Sequence, residues 1–373
     1  MRQSIFTLER TNVIDPDLGS KGADGCRFLQ FARISAKLNA KKGSEVSRHL
    51  EEPILTDIDL PRGSGSRDAY RSLVIVNPAA AAGATGRRWD RIAKLLRSSL
   101  GDFQHAVTQG PGEATALSRA ALRDGFEMVV AVGGDGTLNE VVGGFFDGAA
   151  PVSPQAVLGV VALGTGCDFG RSLDQVDLES ACARLKGRRT RRIDVGLARF
   201  TGHDGAPTMR IFINVVSCGV GALVAHLVSP RLKAVSGQLA FTLATLRALA
   251  VYRDQTVSLA FDDTPARSIA VTNCAFGNGR FFGAGMQVAP GARLDDGEFD
   301  VTIWSGFGLL DFIRKRHTLY DGSHVREQGS EVLKIRRAVA TSASTVWLEL
   351  DGESVGCLPA HLEVLPGAVL LKV

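Results

Sequence analysis

Residues 128–132, Met-Val-Val-Ala-Val, form an unbroken apolar run that stops at Gly133-Gly134-Asp135-Gly136 and gives way to a helix-forming stretch from about Leu138. A run that short and that apolar reads as a strand buried on both faces. The arrangement recurs twice. Residues 73–76 end at Asn77-Pro78 and are followed by small residues through Gly83 and Gly86, then by helical patterns over 87–100 and 112–123. Residues 158–163 end at Gly164-Thr165-Gly166. Strand, glycine loop and helix in repetition predict an open parallel sheet with its loops gathered at the carboxyl ends of the strands.

The pattern changes after Ile193-Asp194-Val195-Gly196. Strand-like runs at 211–216, 256–261, 268–275, 299–304, 346–350 and 369–373 are less often separated by helices, which predicts a largely antiparallel second domain. One apolar helix, about 236–252, interrupts it, after the apolar stretch 220–228. The expected fold is therefore α/β in two domains. A Rossmann-like three-layer domain spans 71–200, a mainly antiparallel β-sandwich domain spans 201–355, and 356–373 form a tail. Residues 1–70 are charged and rich in turn formers and read as a largely disordered extension. Within it Phe28, Phe31, Ile34 and Leu38 fall near one helical face among basic residues, either a membrane-surface helix or a solvated segment.

Composition narrows the function classes. A formal charge of +4, with three Trp and three Tyr, gives little reason to expect nucleic acid as a partner. The six cysteines are scattered without a C-x-x-C pair, which argues against a zinc site or disulfide framework and for a reducing compartment. The seven histidines show no metal-ligand spacing. No apolar run reaches the roughly 18 residues of a membrane span, and the chain's start lacks a signal-peptide-like core. The expected location is cytoplasmic, with peripheral membrane association.

Chemistry concentrates at Gly133-Gly134-Asp135-Gly136-Thr137-Leu138-Asn139-Glu140. Three glycines in four residues allow positive φ and leave bare peptide N–H groups at the start of a helix, a geometry that favours an anion. A carboxylate amid such a site implies Mg²⁺, directly or through water, or a proton acceptor, so Asp135 is a candidate for either. Thr137 and Glu140 also fit a capping box, in which case they only start the helix. No GxxxxGK[ST] motif occurs and the glycines lack dinucleotide-fingerprint spacing. The second glycine-rich stretch, Gly277-Asn278-Gly279 with Gly283 and Gly285, reads as a loop where backbone approaches a ligand or another strand.

From about Ser72 to Val373 the order of motifs resembles the bacterial diacylglycerol kinase-like lipid kinases, relatives of sphingosine and ceramide kinases. Asn77-Pro78 with Gly83 and Gly86 looks like that family's first nucleotide loop, and Thr108 its adenosine-side threonine. Gly133–Glu140 matches the glycine-rich nucleotide motif, and Leu163-Gly164-Thr165-Gly166-Cys167-Asp168-Phe169 its third motif. Ile193-Asp194-Val195-Gly196 and Phe212-Ile213-Asn214-Val215 fit the crossover between domains. Leu294-Asp295-Asp296-Gly297 resembles the segment with the proposed catalytic aspartate, and Asp351-Gly352-Glu353 the late acidic motif near the nucleotide. NAD kinases and phosphofructokinases carry loops like GGDGT, so the later motifs favour the lipid kinases. The family usually has Asn where this chain has Cys167, and a thiol scarcely replaces an amide that hydrogen-bonds on two sides.

The resemblance implies an NAD kinase/diacylglycerol kinase-like fold with ATP in the cleft and the tail returning to the first domain. It also implies an ATP-dependent lipid kinase acting on diacylglycerol or a sphingoid-type lipid. On that basis Asn77, Gly83, Thr108, Gly133, Gly134, Asp135, Gly136, Thr137, Asn139, Thr165 and Glu353 hold the nucleotide. Asp135 and Asp168 organise Mg²⁺. Asp296, with Asp295 as the competing choice, accepts the proton from the lipid hydroxyl; on residues alone, Asp295-Asp296-Gly297 reads rather as an ordinary acidic turn. The apolar residues of 239–249 form a lipid wall or simply core. The basic runs 186–192 and 314–316 face anionic head groups or only solvent. A lipid substrate, a membrane surface and a homodimer are the partners expected. Two rivals stand beside this reading: another kinase with the same loop, such as an NAD kinase, and a binding protein that has lost catalysis.

Overall fold

The structure is a computed structural model that describes residues 70–373, apart from Thr165, residues 228–244, Leu246 and Leu249. The extension with its basic apolar segment lies outside the described residues, as does most of the apolar helix expected at 236–252. Of that helix Thr245, Arg247, Ala248, Ala250 and Val251 are helical.

The first half runs β1 (Ser72–Val76), α1 (Ala84–Arg87), α2 (Trp89–Leu100), β2 (Gln104–Val107), α3 (Glu113–Arg123), β3 (Met128–Gly133), α4 (Asp135–Gly144), a small hairpin β4 (Phe146–Asp147) and β5 (Ala150–Pro151), β6 (Val157–Ala162), α5 (Asp168–Ser172) and α6 (Leu178–Arg184). Strands β2, β1, β3 and β6 lie side by side, all parallel. Alternation within the apolar runs explains the layers. Ile75, Val129 and Leu158 pack with Leu117, Leu138 and Val142 of α3 and α4. Val74, Val130 and Val161 pack with Ile92, Leu96 and Ala181 of α2 and α6 on the other face. The chain leaves β1 to one side for β2 and returns to the other for β3. The carboxyl ends of β1 and β3 thus border the crevice where such sheets bind ligands.

The second half comprises β7 (Thr190–Gly202), β8 (Pro207–Phe212), β9 (Val215–Gly219), α7 (Val220–Leu227), β10 (Gln255–Phe261), β11 (Arg267–Val271), β12 (Asn273–Gly277), β13 (Phe299–Trp304), α8 (Leu309–Asp321), a 3₁₀ turn (Ser323–Arg326), β14 (Ser330–Ile335), β15 (Arg337–Thr341), β16 (Trp347–Leu350) and β17 (Glu353–Lys372). Strands β14, β13, β12, β9, β16 and β17 follow one another with antiparallel pairing. A second core lies beneath them, around Phe212, Phe276, Phe299 and Leu348. Strand β17 joins the halves: it runs antiparallel to β7, β15 and β16, and its end pairs in parallel with β6 at Leu370–Val157. A parallel α/β half followed by an antiparallel β-sandwich-like half is the fold class the sequence predicts.

Two strands read as continuous are broken. The run 211–216 divides at Ile213-Asn214, whose N–H groups turn to the Asp351 carboxylate. The run 268–275 divides at Thr272, whose carbonyl accepts the N–H of Val220 at the start of α7.

Candidate active site

The glycine loop is built by close approach rather than by left-handed turns. Gly133, Gly134 and Gly136 are absent from the glycines with positive φ, contrary to the sequence expectation. A Cβ on Gly133 would lie 2.6 Å from Thr137 Oγ1, and one on Gly164 would lie 3.0 Å from Gly134 Cα. The loops after β3 and β6 therefore touch backbone to backbone, joined by Leu163 N–H donating to the Gly133 carbonyl at 2.6 Å. Helix α4 starts at Asp135, earlier than the sequence suggested, with Gly134 as a cap that offers no side chain. Its first N–H groups remain available to an anion.

The capping box expected of Thr137 and Glu140 does not form. Thr137 Oγ1 accepts from Asn77 Nδ2 at 3.0 Å, tying the loop after β1 to that after β3. Glu140 accepts from the N–H groups of Gly112 (2.8 Å) and Ala114 (3.2 Å), so it caps the neighbouring helix α3.

Asp135 and Asp168 are brought together. Asp135 accepts from the N–H groups of Asp168 and Phe169, both at 3.1 Å, and so holds the first turn of α5. Asp168 accepts from Ala284 (3.0 Å) and Gly285 (2.7 Å) in the second half, with Arg171 Nε 3.9 Å away. Gly166 lies between them: its Cβ would be 3.2 Å from Asp135 and 3.4 Å from Asp168. Burial first, and the Asp135 charge second, push the Asp168 carboxyl up to about 6.

The late acidic motif joins the same place. Gly136 lies against Glu353, whose Oε1 would be 3.3 Å from a Cβ there. Arg210 donates to Glu353 Oε2 (3.2 Å) and to Asn139 Oδ1 (2.8 Å), and Asn139 Nδ2 donates to Asp351 at 2.8 Å. Asp351 also takes the N–H groups of Ile213, Asn214 and Val215, each at 2.9 Å. Burial raises its carboxyl to about 6 against the pull of those bonds. Asn139 and Asp351 are thus anchors between the halves, while Glu353 is the half-exposed carboxylate at the glycine loop.

Residues 71–198 match the diacylglycerol kinase catalytic domain, and residues 214–373 match the YegS C-terminal NAD kinase beta sandwich-like domain. The diacylglycerol kinase of Bacillus subtilis (strain 168) is 31% identical over 78% of this chain and 92% of its own length. That of Staphylococcus carnosus (strain TM300) is 27% identical over 78% of this chain and 91% of its own. The crystal structure of a diacylglycerol kinase from Bacillus anthracis str. Sterne has the same fold, with TM-score 0.62 at 20% identity over 82% of this chain and 97% of that one.

This chain belongs to the diacylglycerol kinase catalytic domain family. It is a lipid kinase of that family, a phosphotransferase.

Other residues expected at a lipid kinase site lie as follows. Thr108 is buried, with its N–H and hydroxyl both directed to the Val76 carbonyl, at 2.9 and 3.4 Å. Gly83 is left-handed, with φ 81°, at the start of α1. Thr165 lies outside the described residues. Asp296 and Asp295 belong to a different bonding group from Asp135 and Asp168. Asp296 pairs with Lys334 at 2.6 Å, and Asp295 with Arg293 at 3.6 Å and Arg191 at 3.7 Å. Asp194 holds their turn, accepting from Gly297 and Gly367 at 2.7 Å each. Cys167 adopts φ 49°, a left-handed conformation that Asn tolerates better than other side chains. Its thiol donates to the Gly164 carbonyl, and burial, then the Asp135 charge, push it up to about 11, so it is not a reactive thiolate.

Beside these loops lies an apolar cavity that the sequence did not reveal. Val224 of α7, Phe282, Met286, Trp304 and Phe312 of α8 line it, together with Gly283, Glu349 and Gly352. Of the wall expected over 239–249, Thr245 lines the cavity, and the apolar residues named for it lie outside the described residues. No local pattern signals such a cavity, because its walls come from segments distant in sequence. Nor does the sequence signal the polar anchors Arg210 and Glu349, which act through Glu353 and Ser217, more than a hundred residues away.

Proposed function

We propose that the protein transfers the γ-phosphate of ATP to the hydroxyl of a diacylglycerol. The observation that carries this reading is the position of the apolar cavity. Gly283 in its lining precedes Ala284 and Gly285, which bind Asp168, and Gly352, also in its lining, lies between Asp351 and Glu353. An acyl chain and a phosphoryl group would thus be held next to each other, which phosphoryl transfer requires above all.

In this reading the bare N–H groups at Gly134–Gly136 and the start of α4 receive the ATP phosphates, with Asn77 and Thr137 fixing the facing loop. Glu353 and Arg210 flank the nucleotide. Among the described residues no group of three or more acidic, His or Cys side chains could hold a metal ion. The two carboxylates of Asp135 and Asp168 suit Mg²⁺, which takes one or two carboxylates with waters and phosphate oxygens. Bound there, the ion would supply charge neutralisation. Asp296 accepts the hydroxyl proton, and Lys334, 2.6 Å away, holds its side chain in place.

No helix among the described residues is long and apolar enough to cross a membrane. Helix α8 borders the cavity and exposes Leu310 (67%) and Ile313 (54%) beside Arg314 and Arg316. Those side chains suit an anionic bilayer surface from which the acceptor is drawn. Binding to vesicles that ignores both anionic lipid content and salt would remove that part.

The test is ATP turnover against diacylglycerol, monoacylglycerol, sphingosine, ceramide, phosphatidylglycerol and NAD. Highest kcat/KM on diacylglycerol supports the reading; phosphorylation of NAD alone, or of no acceptor, overturns it.

A further inference from the structure

Ser217, Asn273 and Glu349 stand on one face of neighbouring strands β9, β12 and β16, where Ser217 lies opposite Glu349 and Asn273 opposite Gly219. They are 0%, 0% and 1% exposed, and Asn273 and Glu349 line the apolar cavity. Most of their hydrogen bonds are made. Ser217 donates to Glu349 Oε2 at 2.7 Å, Gly352 N–H donates to Glu349 Oε1, and Gly221 N–H donates to Asn273 Oδ1 at 2.9 Å.

What is left over, besides His324 Nε2 on the same cavity, is a pair of donors. Asn273 Nδ2 has no partner, and neither does the buried Trp304 Nε1. The two residues face each other across the β12–β13 ladder, and both line the cavity. Opposite residues on one sheet face have Cβ atoms about 5 Å apart, so both donors serve one small region. A buried unpaired N–H is costly, and natural proteins retain few. Two of them in adjacent positions, turned to an apolar cavity, point to an acceptor that arrives with the ligand. A single oxygen with two lone pairs can answer both donors. A carbonyl only accepts, and in an acylated lipid it stands where the polar head gives way to the chain.

We propose that Asn273 Nδ2 and Trp304 Nε1 bind an acyl carbonyl of the acceptor lipid, selecting ester- or amide-linked lipids over those without a carbonyl. The inference rests on the lipid kinase reading and narrows it: acylglycerols and ceramides fit, and a free sphingoid base or an ether lipid fits poorly.

The experiment compares 1,2-dioctanoylglycerol with the 1,2-dioctyl diether of glycerol in mixed micelles, using the full chain. The two share the acceptor hydroxyl and differ in the carbonyls. The wild-type protein is expected to favour the ester by about tenfold or more in kcat/KM, mainly through KM. Asn273→Asp keeps the shape and the bond from Gly221 but replaces the donor by an acceptor, and Trp304→Phe removes the second donor. Either is expected to bring the ester-to-ether ratio towards one. Equal use of both lipids by the wild-type protein overturns the proposal. So does an unchanged ratio in both variants, which marks a merely structural role. If neither lipid is phosphorylated, the kinase reading itself fails and the proposal falls with it.

Discussion

Two regions of the molecule, the glycine-loop site and the apolar cavity, treat buried polar groups in different ways. At the glycine loop, the carboxylates of Asp135 and Glu140 are held by backbone N–H donors of neighbouring helices, and glycines clear the space around Asp135. In the lining of the apolar cavity, donors are left unmatched. The first arrangement suits a ligand that brings its own negative charge and needs a rigid frame. The second suits one that is mostly hydrocarbon with a single polar feature. A substitution in the frame should therefore cost rate, while one in the cavity should cost selectivity.

The sharpest test of that division is Asp296→Asn. Turnover should fall by roughly a thousandfold, the scale of a lost general base, while ATP binding measured by calorimetry stays nearly intact; retained turnover removes Asp296 from the reaction. Next is Asp135→Asn, which leaves one of the N–H groups of Asp168 and Phe169 without a charged acceptor. A loss of at least about a hundredfold in kcat is expected, with the ester-to-ether ratio unchanged. A changed ratio would break the division between frame and cavity.

Stability tests address the seam instead. A Cβ on Gly196 would lie 2.0 Å from the Phe212 ring, which faces it across β7–β8. Gly196→Ala should lower unfolding free energy by about 1–3 kcal/mol through overpacking, read from denaturant melts, and a neutral result would show that the seam can relax. Glu349 gives a smaller, pH-dependent effect. Burial raises its carboxyl from 4.5 to about 7. The folded state keeps a proton that the unfolded chain releases, so this contribution is fully present below about pH 4.5 and lost as pH rises towards 7. Glu349→Gln stays neutral throughout, so its melting temperature should fall less than the wild type's across that window. Smallest of all, Arg91→Ala removes an exposed ion pair with Glu179, whose side chains are 67% and 49% accessible. A change within about 0.5 kcal/mol is expected, and a larger one would mean the α2–α6 contact matters more than its exposure suggests.

How far the site was legible depended on how far apart its members lie. The glycine loop, its helix and the strand before it are contiguous, so 128–140 could be read directly. Thr137 and Glu140, three residues apart, fit a capping box within one helix, yet Glu140 caps α3, reaching Gly112 across 28 positions. The break at Ile213-Asn214 was invisible because its cause, the Asp351 carboxylate, lies 138 and 137 positions away. Cys167 was recognised as a departure, but the left-handed backbone that makes Asn the better residue there became evident only with φ in hand.

By itself the sequence determined the apolar strands, the glycine-rich ends and the switch from parallel to antiparallel organisation, because period, chain length and φ/ψ preference act over a few residues. Only the tertiary structure decided that Asn139 meets Asp351 across 212 positions, that Asp168 meets Gly285, and that Asn273 stands opposite Trp304 above an apolar cavity. Those meetings follow from strand order and register, which are set by how whole layers bury their faces against one another, and no local stretch of chain encodes them.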